Sequence, residues 1–171
     1  GALEINLVYP AIAAGYTLLC ARKYFRRTLP LFVPSILYVA IHTAVAPVQK
    51  SGYYAMHFTG SILKTLFTYW TWSVGPTFLW TPLTLPKWFL PAGIAAITAA
   101  LLGFVFWKVR RGHLVALFPL LWYVVTIAPV LPLRDHLTEY YVFLPLIGLC
   151  LLGGWAAVAG GGSIAGIGFT V

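Results

Sequence analysis

Only three of the 171 residues are acidic, and two of them, Asp135 and Glu139, share one short stretch with Arg134 and His136. The stretch reads Pro129-Val130-Leu131-Pro132-Leu133-Arg134-Asp135-His136-Leu137-Thr138-Glu139-Tyr140-Tyr141. An arginine fork suits a phosphate or another anion. Two carboxylates and an imidazole can move protons or hold a divalent metal ion. Pro129 and Pro132 end one helix, and the next can start near Asp135, with that carboxylate facing the positive end of the helix dipole. Asp135 and Glu139 then stand four apart and His136 and Glu139 three apart, so the side chains can converge. Asp135, Glu139 and His136 are therefore the candidate catalytic residues and Arg134 the candidate anion contact. A capped helix start with solvated charges, or an Arg134–Glu139 pair, fits the same letters. The chain has no HExxH, GxSxG, P-loop or GxGxxG pattern to strengthen either reading.

Other candidates are isolated. His42 falls inside an apolar run, where an imidazole needs a polar partner or a ligand: a hydrogen bond to a neighbouring helix, or axial ligation of a haem or pigment. His57 and His113 fall at the edges of such runs, where solvation suffices. Lys64, beside Tyr69 and Trp70, can meet a phosphate headgroup or serve as the polar face of a helix. Cys20 and Cys150 lie in or at the end of apolar segments far apart in the chain, without a CxxC motif, and read as small buried hydrophobes.

The elements that must position these residues belong in lipid. The chain is 61% hydrophobic and 8% charged, whereas soluble domains carry about 25% charged residues. The expected fold is an all-α polytopic membrane bundle in one domain, residues 1–159. Its five transmembrane helices are expected at about residues 3–21, 31–48, 89–107, 114–131 and 140–159. The net charge of +8 does not point to nucleic acid, because the bases sit in two short clusters between apolar runs: Arg22, Lys23, Arg26 and Arg27, then Lys108, Arg110 and Arg111. Such clusters are retained in the cytoplasm, so loops 22–27 and 108–113 are expected inside, and segments 49–88 and 132–139 outside. All three acids, Glu4 included, then fall outside with Lys50, Lys64, Lys87 and Arg134.

Both clusters can lie inside only if the segment between the second and third spans crosses an even number of times. Its polar residues and prolines favour none. Residues 61–72 explain how it could lie flat on the outer surface. Ile62, Leu63, Leu66, Phe67 and Trp70 share one helical face, and Ser61, Lys64, Thr65, Thr68 and Thr71 share the other. Trp70, Trp72, Trp80 and Trp88 suit the same boundary. The expectation is an extracytoplasmic interfacial amphipathic helix within residues 57–88. A Gly-rich joint and the start of another apolar segment close the chain at residues 160–171.

Three stretches resemble a known family: Trp122 to Pro132, Thr138-Glu139-Tyr140-Tyr141-Val142-Phe143-Leu144-Pro145-Leu146-Ile147-Gly148-Leu149, and upstream Tyr69-Trp70-Thr71-Trp72. Together they are similar to the late transmembrane region of membrane O-mannosyltransferases with tetratricopeptide repeats and their bacterial relatives. That resemblance implies a GT-C type fold and a polyprenyl-phosphate sugar donor used at an extracytoplasmic site, where Arg134 and Lys64, read above as anion and headgroup contacts, are the candidates to meet the lipid phosphate. Tyr140 stands where the family has arginine. The family's catalytic acids come from an early outer loop, and nothing precedes Glu4 that could supply them. The expectation is therefore a membrane protein resembling part of a lipid-phosphate-sugar-dependent glycosyltransferase, not catalytic alone. It would partner membrane lipids and either other subunits or the rest of a longer chain. The alternative is a non-catalytic accessory subunit of a larger membrane complex, with pigment or haem near His42.

Overall fold

The computed structural model describes residues 2–45, 52, 55–75, 86 and 88–168, with side chains between residues 8 and 160. All regular structure among them is helical. The α-helices are α1 (Ala2–Cys20), α2 (Phe25–Thr28), α3 (Phe32–Val45), α4 (Ser61–Val74), α5 (Phe89–Arg110), α6 (Phe118–Ile127) and α7 (Phe143–Gly168), joined in places by single 3-10 turns. Lys50, Trp80 and Lys87 lie outside the described residues, as does the side chain of Glu4.

Three stretches are helical, apolar and long enough to cross a membrane: Arg22–Val45 over 24 residues, Phe89–Arg110 over 22 and Glu139–Gly160 over 22. At about 1.5 Å per residue each exceeds the roughly 30 Å of a hydrocarbon core. Two further apolar helices, Val8–Cys20 and Leu114–Val130, are shorter. The first stretch begins nine residues before the expected start at 31, because 3-10 turns carry the helix through the basic cluster. Within an 18-residue apolar window of each, 6% of residues are buried in the first two stretches and 28% in the third, so the third is the most enclosed. Exposed Val33, Ile36, Leu37, Phe106 and Val158 belong against lipid tails.

The α6–α7 hairpin is the most closely packed pair. Trp122 Nε1 donates to the Leu144 carbonyl at 2.9 Å, and a Cβ on Gly148 would strike the Pro119 carbonyl oxygen. Pro145 is fully buried nearby. α1 runs against α6 with Tyr16 edge-on to Phe118, ring centroids 5.3 Å apart. It also contacts the 3-10 turn Leu114–Leu117. The C-terminal end of α1 and the turn after α5 therefore share one end of the bundle, which gathers both basic clusters.

α5 stops there in a defined way. Gly112 takes φ +86°, Gly112 N–H donates to Val109 at 2.9 Å and His113 N–H donates to Lys108 at 3.0 Å. This is the left-handed glycine cap that satisfies the last carbonyls of a helix. It leaves Lys108 and Arg110 in the last turn, where the dipole favours cations. Aromatic rings receive them: Lys108 Nζ lies 5.5 Å from Phe104, 4.8 Å from Trp107 and 5.2 Å from Trp155, and the Arg111 guanidinium lies 4.2 Å from Trp107.

α4 occupies the place expected of the interfacial helix but orients differently. Thr65 and Tyr69, at 3% and 0% exposure, are buried with Val74, while Leu63, Lys64 and Phe67 face outward. Three of its hydroxyls bond within the helix. Thr68, Thr71 and Ser73 bond the carbonyls of Lys64, Thr68 and Tyr69 at 3.0, 2.7 and 2.8 Å. The helix packs beside α5 and α6 through Trp70 Nε1 to Thr98 Oγ1 at 2.9 Å and Ser73 Oγ to Tyr123 Oη at 3.0 Å. Thr98 is nine residues into α5, so α4 reaches alongside the spanning helices instead of resting only above them.

Candidate functional site

The end of the bundle opposite the basic clusters carries the polar stretch singled out above. α6 runs into a 3-10 turn at Ala128–Val130, where Pro129 sits in the first turn and withholds no needed donor. The chain then turns through Leu131 to His136. Leu133 N–H donates to Val130 at 3.0 Å and His136 N–H donates to Leu133 at 3.1 Å. The next helix opens at Glu139 with Thr138 as its extended N-cap, not at Asp135. Asp135 and His136 are therefore in a turn, and the helical spacing expected to bring them onto Glu139 does not form.

Asp135 instead has two partners from different directions. Arg134 Nε lies 3.3 Å from Oδ1, and His57 Nε2 lies 3.0 Å from Oδ2. The His57 backbone also donates to the Pro132 carbonyl at 2.9 Å, so the segment before α4 is tied to the α6–α7 loop by main chain and side chain together. Both charged groups are about half exposed, and pairs of this kind contribute about 0–1 kcal/mol. His57, read from sequence as a solvated boundary residue, thus belongs to the cluster. Sequence distance hid it, because 78 positions (135 − 57) separate it from Asp135.

His136 faces the ring of Tyr141, centroids 6.1 Å apart, and Tyr140 packs on Tyr141 at 4.3 Å. Glu139 is exposed in the first turn of its helix. Among the described residues no three His, Cys, Asp or Glu side chains converge as a metal set. Asp135, His136 and Glu139 are neighbours that do not form one coordination sphere.

Beneath the loop lies Tyr69, wholly buried and edge-on to Tyr141 with centroids 6.4 Å apart. The buried hydroxyl of Thr138 has no hydrogen-bond partner. Burial pushes the Tyr69 phenol above its ordinary value of 10.0; a hydrogen bond with the Thr138 backbone opposes that shift and Tyr140 adds to it.

Lys64 stands apart from this cluster, on the outward face of α4 between exposed Leu63 and Phe67. Those two side chains border a lateral groove of about 450 Å³ lined by Leu63, Leu66, Phe67 and Trp70 from α4, Thr98 and Leu102 from α5, and Leu120, Tyr123 and Val124 from α6. A second groove of about 740 Å³ adjoins it across Phe67, Trp70 and Thr98 and extends along α5 from Leu90 to Ala99. Both are almost wholly apolar. His42 lies in the last described turn of α3, exposed, with its ring 5.6 Å from Tyr38 of the same helix. It stays inside the candidate span Arg22–Val45, as expected of an imidazole within an apolar run. Cys20 and Cys150 are free and exposed on the apolar surface, not buried.

No protein-family model matches the chain, and no curated protein or solved structure matches it either. Two residues that carry the resemblance around Pro129–Gly148 have a packing role here: Pro145 is fully buried, and Gly148 lets α7 close on Pro119 and Trp122.

Proposed function

We propose that this chain is a multi-pass membrane protein that holds a phosphate-headed lipid, as the donor-lipid-binding part of a GT-C type glycosyltransferase would. The observation that carries the reading is the lateral apolar groove between α4, α5 and α6, with exposed Lys64 next in the chain to its lining residue Leu63. A groove of this lining takes a hydrocarbon chain, and an ammonium beside it takes a phosphate. The polar cluster of His57, Arg134 and Asp135 lies at the same end of the bundle as the start of α4 and would face the sugar. Binding without catalysis fits the site, since Asp135 is engaged by Arg134 and His57 while Glu139 stands outside that pair. The basic clusters at the opposite end support a cytoplasmic position for loops 22–27 and 108–113.

The test is to purify the whole chain in mild detergent, add a polyprenyl phosphate and measure retention by native mass spectrometry. Val124→Trp, which fills the groove, should cut retention at least tenfold, and Lys64→Ala should weaken it by less. Retention unchanged in Val124→Trp removes the groove from the reading. The accessory-subunit alternative is favoured by one observation, the outward-facing His42 on sparsely packed α3. An absorption spectrum of the same preparation decides it: bound haem or pigment overturns the lipid reading in its favour.

A further inference from the structure

Both basic clusters meet at the end of the bundle where α1 stops and α6 begins. Gly15 of α1 faces Leu121 of α6 and Tyr16 faces Phe118, so the two helices run antiparallel and the last turn of α1 comes beside the turn Leu114–Leu117. Arg22, Lys23, Arg26 and Arg27 follow α1 directly and are all exposed. Lys108, Arg110 and Arg111 close α5, which contacts the same turn. No carboxylate of the chain compensates these cations. Asp135 and Glu139 belong to the opposite end of the bundle. Glu4 stands near the start of α1, sixteen residues before Cys20 (20 − 4) and so about 24 Å away along the helix. The cations rest on rings instead. Besides the Lys108 and Arg111 contacts given above, Tyr24 lies 4.9 Å from Lys23 Nζ and 5.3 Å from the Arg27 guanidinium, and Phe106 lies 5.5 Å from the Arg110 guanidinium. A ring face attracts a cation but carries no net charge, so the positive charge of this end stays uncompensated. Tyr24, Phe106 and Trp107 are themselves exposed, which sets apolar surface between the charges.

We propose that this end of the bundle is a docking surface for the headgroups of anionic phospholipids, centred on Lys108 and Arg111 at the Trp107 ring. Complementarity of charge calls for an anionic partner. That partner must also meet exposed apolar rings at the tips of helices long enough to span a membrane, and a leaflet of anionic lipid offers both at that place. Lys108 and Arg111 lead because one ring already holds both, and Lys108 is half-buried against three rings. Less side-chain freedom is then lost when a phosphate arrives. The surface shares no residue with the lining of the groove between α4, α5 and α6, so it stands whether or not a polyprenyl phosphate binds there.

The whole chain in mild detergent is given equal amounts of phosphatidylglycerol and phosphatidylcholine with the same acyl chains, and native mass spectrometry reads the ratio retained. Wild type should favour phosphatidylglycerol. Lys108→Gln and Arg111→Gln should each lower that preference about fivefold, the contribution of one basic residue at an anionic surface. Lys108→Arg and Arg111→Lys, which keep the charge, should retain it. Far-ultraviolet ellipticity shows whether each variant is folded. If glutamine unfolds the chain, the wild type still decides, because its preference must fall as salt rises. Equal retention of the two lipids by wild type overturns the proposal, as does a preference indifferent to salt or to both folded glutamine variants. Displacement of phosphatidylglycerol by inorganic phosphate at the same concentration reassigns the surface to free anions and overturns the lipid assignment. A preference lost in Val124→Trp places the lipid in the groove and overturns it as well.

Discussion

Gly148→Ala tests the packing on which the polar end depends. A Cβ at Gly148 would collide with the Pro119 carbonyl oxygen and meet Trp122 Cδ1 at 3.0 Å and Trp122 Cβ at 3.3 Å. Backbone oxygen cannot rotate away, so α6 and α7 must separate. Overpacking of this kind costs about 1–3 kcal/mol. Separation also stretches the Trp122–Leu144 hydrogen bond, 2.9 Å long, worth about 0.6 kcal/mol in a membrane setting. The better helix propensity of alanine returns about 0.8–1 kcal/mol. The net expectation is a loss of roughly 0.6–2.8 kcal/mol, up to about a hundredfold in the folding constant. Gly153→Ala is the control: the same substitution in the same helix meets nothing within 4 Å and should gain about 0.5–1 kcal/mol. Unfolding in mixed micelles by rising SDS fraction, followed by tryptophan fluorescence and far-ultraviolet ellipticity, reads both variants against wild type. Equal stability of Gly148→Ala and Gly153→Ala would refute the reasoning, since helix propensity alone would then account for both.

Trp70→Phe and Thr98→Val, alone and together, should give a coupling of about 0.6 kcal/mol and no more than about 1.7 by the same SDS titration, because each removes one end of the 2.9 Å bond joining α4 to α5. His57→Ala should cost less than about 1 kcal/mol, an effect that shrinks further in high salt, because its ion pair with Asp135 is substantially exposed. A large, salt-independent loss in His57→Ala would mean that the Asp135 contact is buried in solution.

The helices were legible in the sequence because long apolar runs leave few alternatives. Phe89–Arg110 begins at the expected residue and extends three positions past 107, to the glycine cap at Gly112. Their ends were less legible. The expected start of a span at 31 ignored that Arg22 to Thr28 can coil into helical turns while their charges point outward. In α4 the threonines misled: Thr65 stands on the buried face although Thr68 and Thr71 bond their own helix carbonyls nearer the surface, and only three-dimensional packing tells which face is which. At the polar end the residue types were found but not their pairing. Asp135 meets His57 because the segment before α4 folds over the α6–α7 loop, a contact between distant parts of the chain that spacing within residues 129–141 cannot encode. Tyr69 stood out in the sequence only within Tyr69-Trp70-Thr71-Trp72 and beside Lys64, and nothing there marked it for burial.

The ammonium of Lys108 is flanked by Trp107 of α5 and Trp155 of α7. Because one charge is shared by rings on two helices, sliding either past the other by a single turn, about 5.4 Å, would strip it of Trp155, one of its three rings. Indole rings also seek the headgroup layer. In a bilayer the cluster would therefore act as a depth gauge: it would fix the level of α5 and α7 against each other and against the headgroups, and with them the level of the loop of Arg134 and Asp135 at the other end of the bundle.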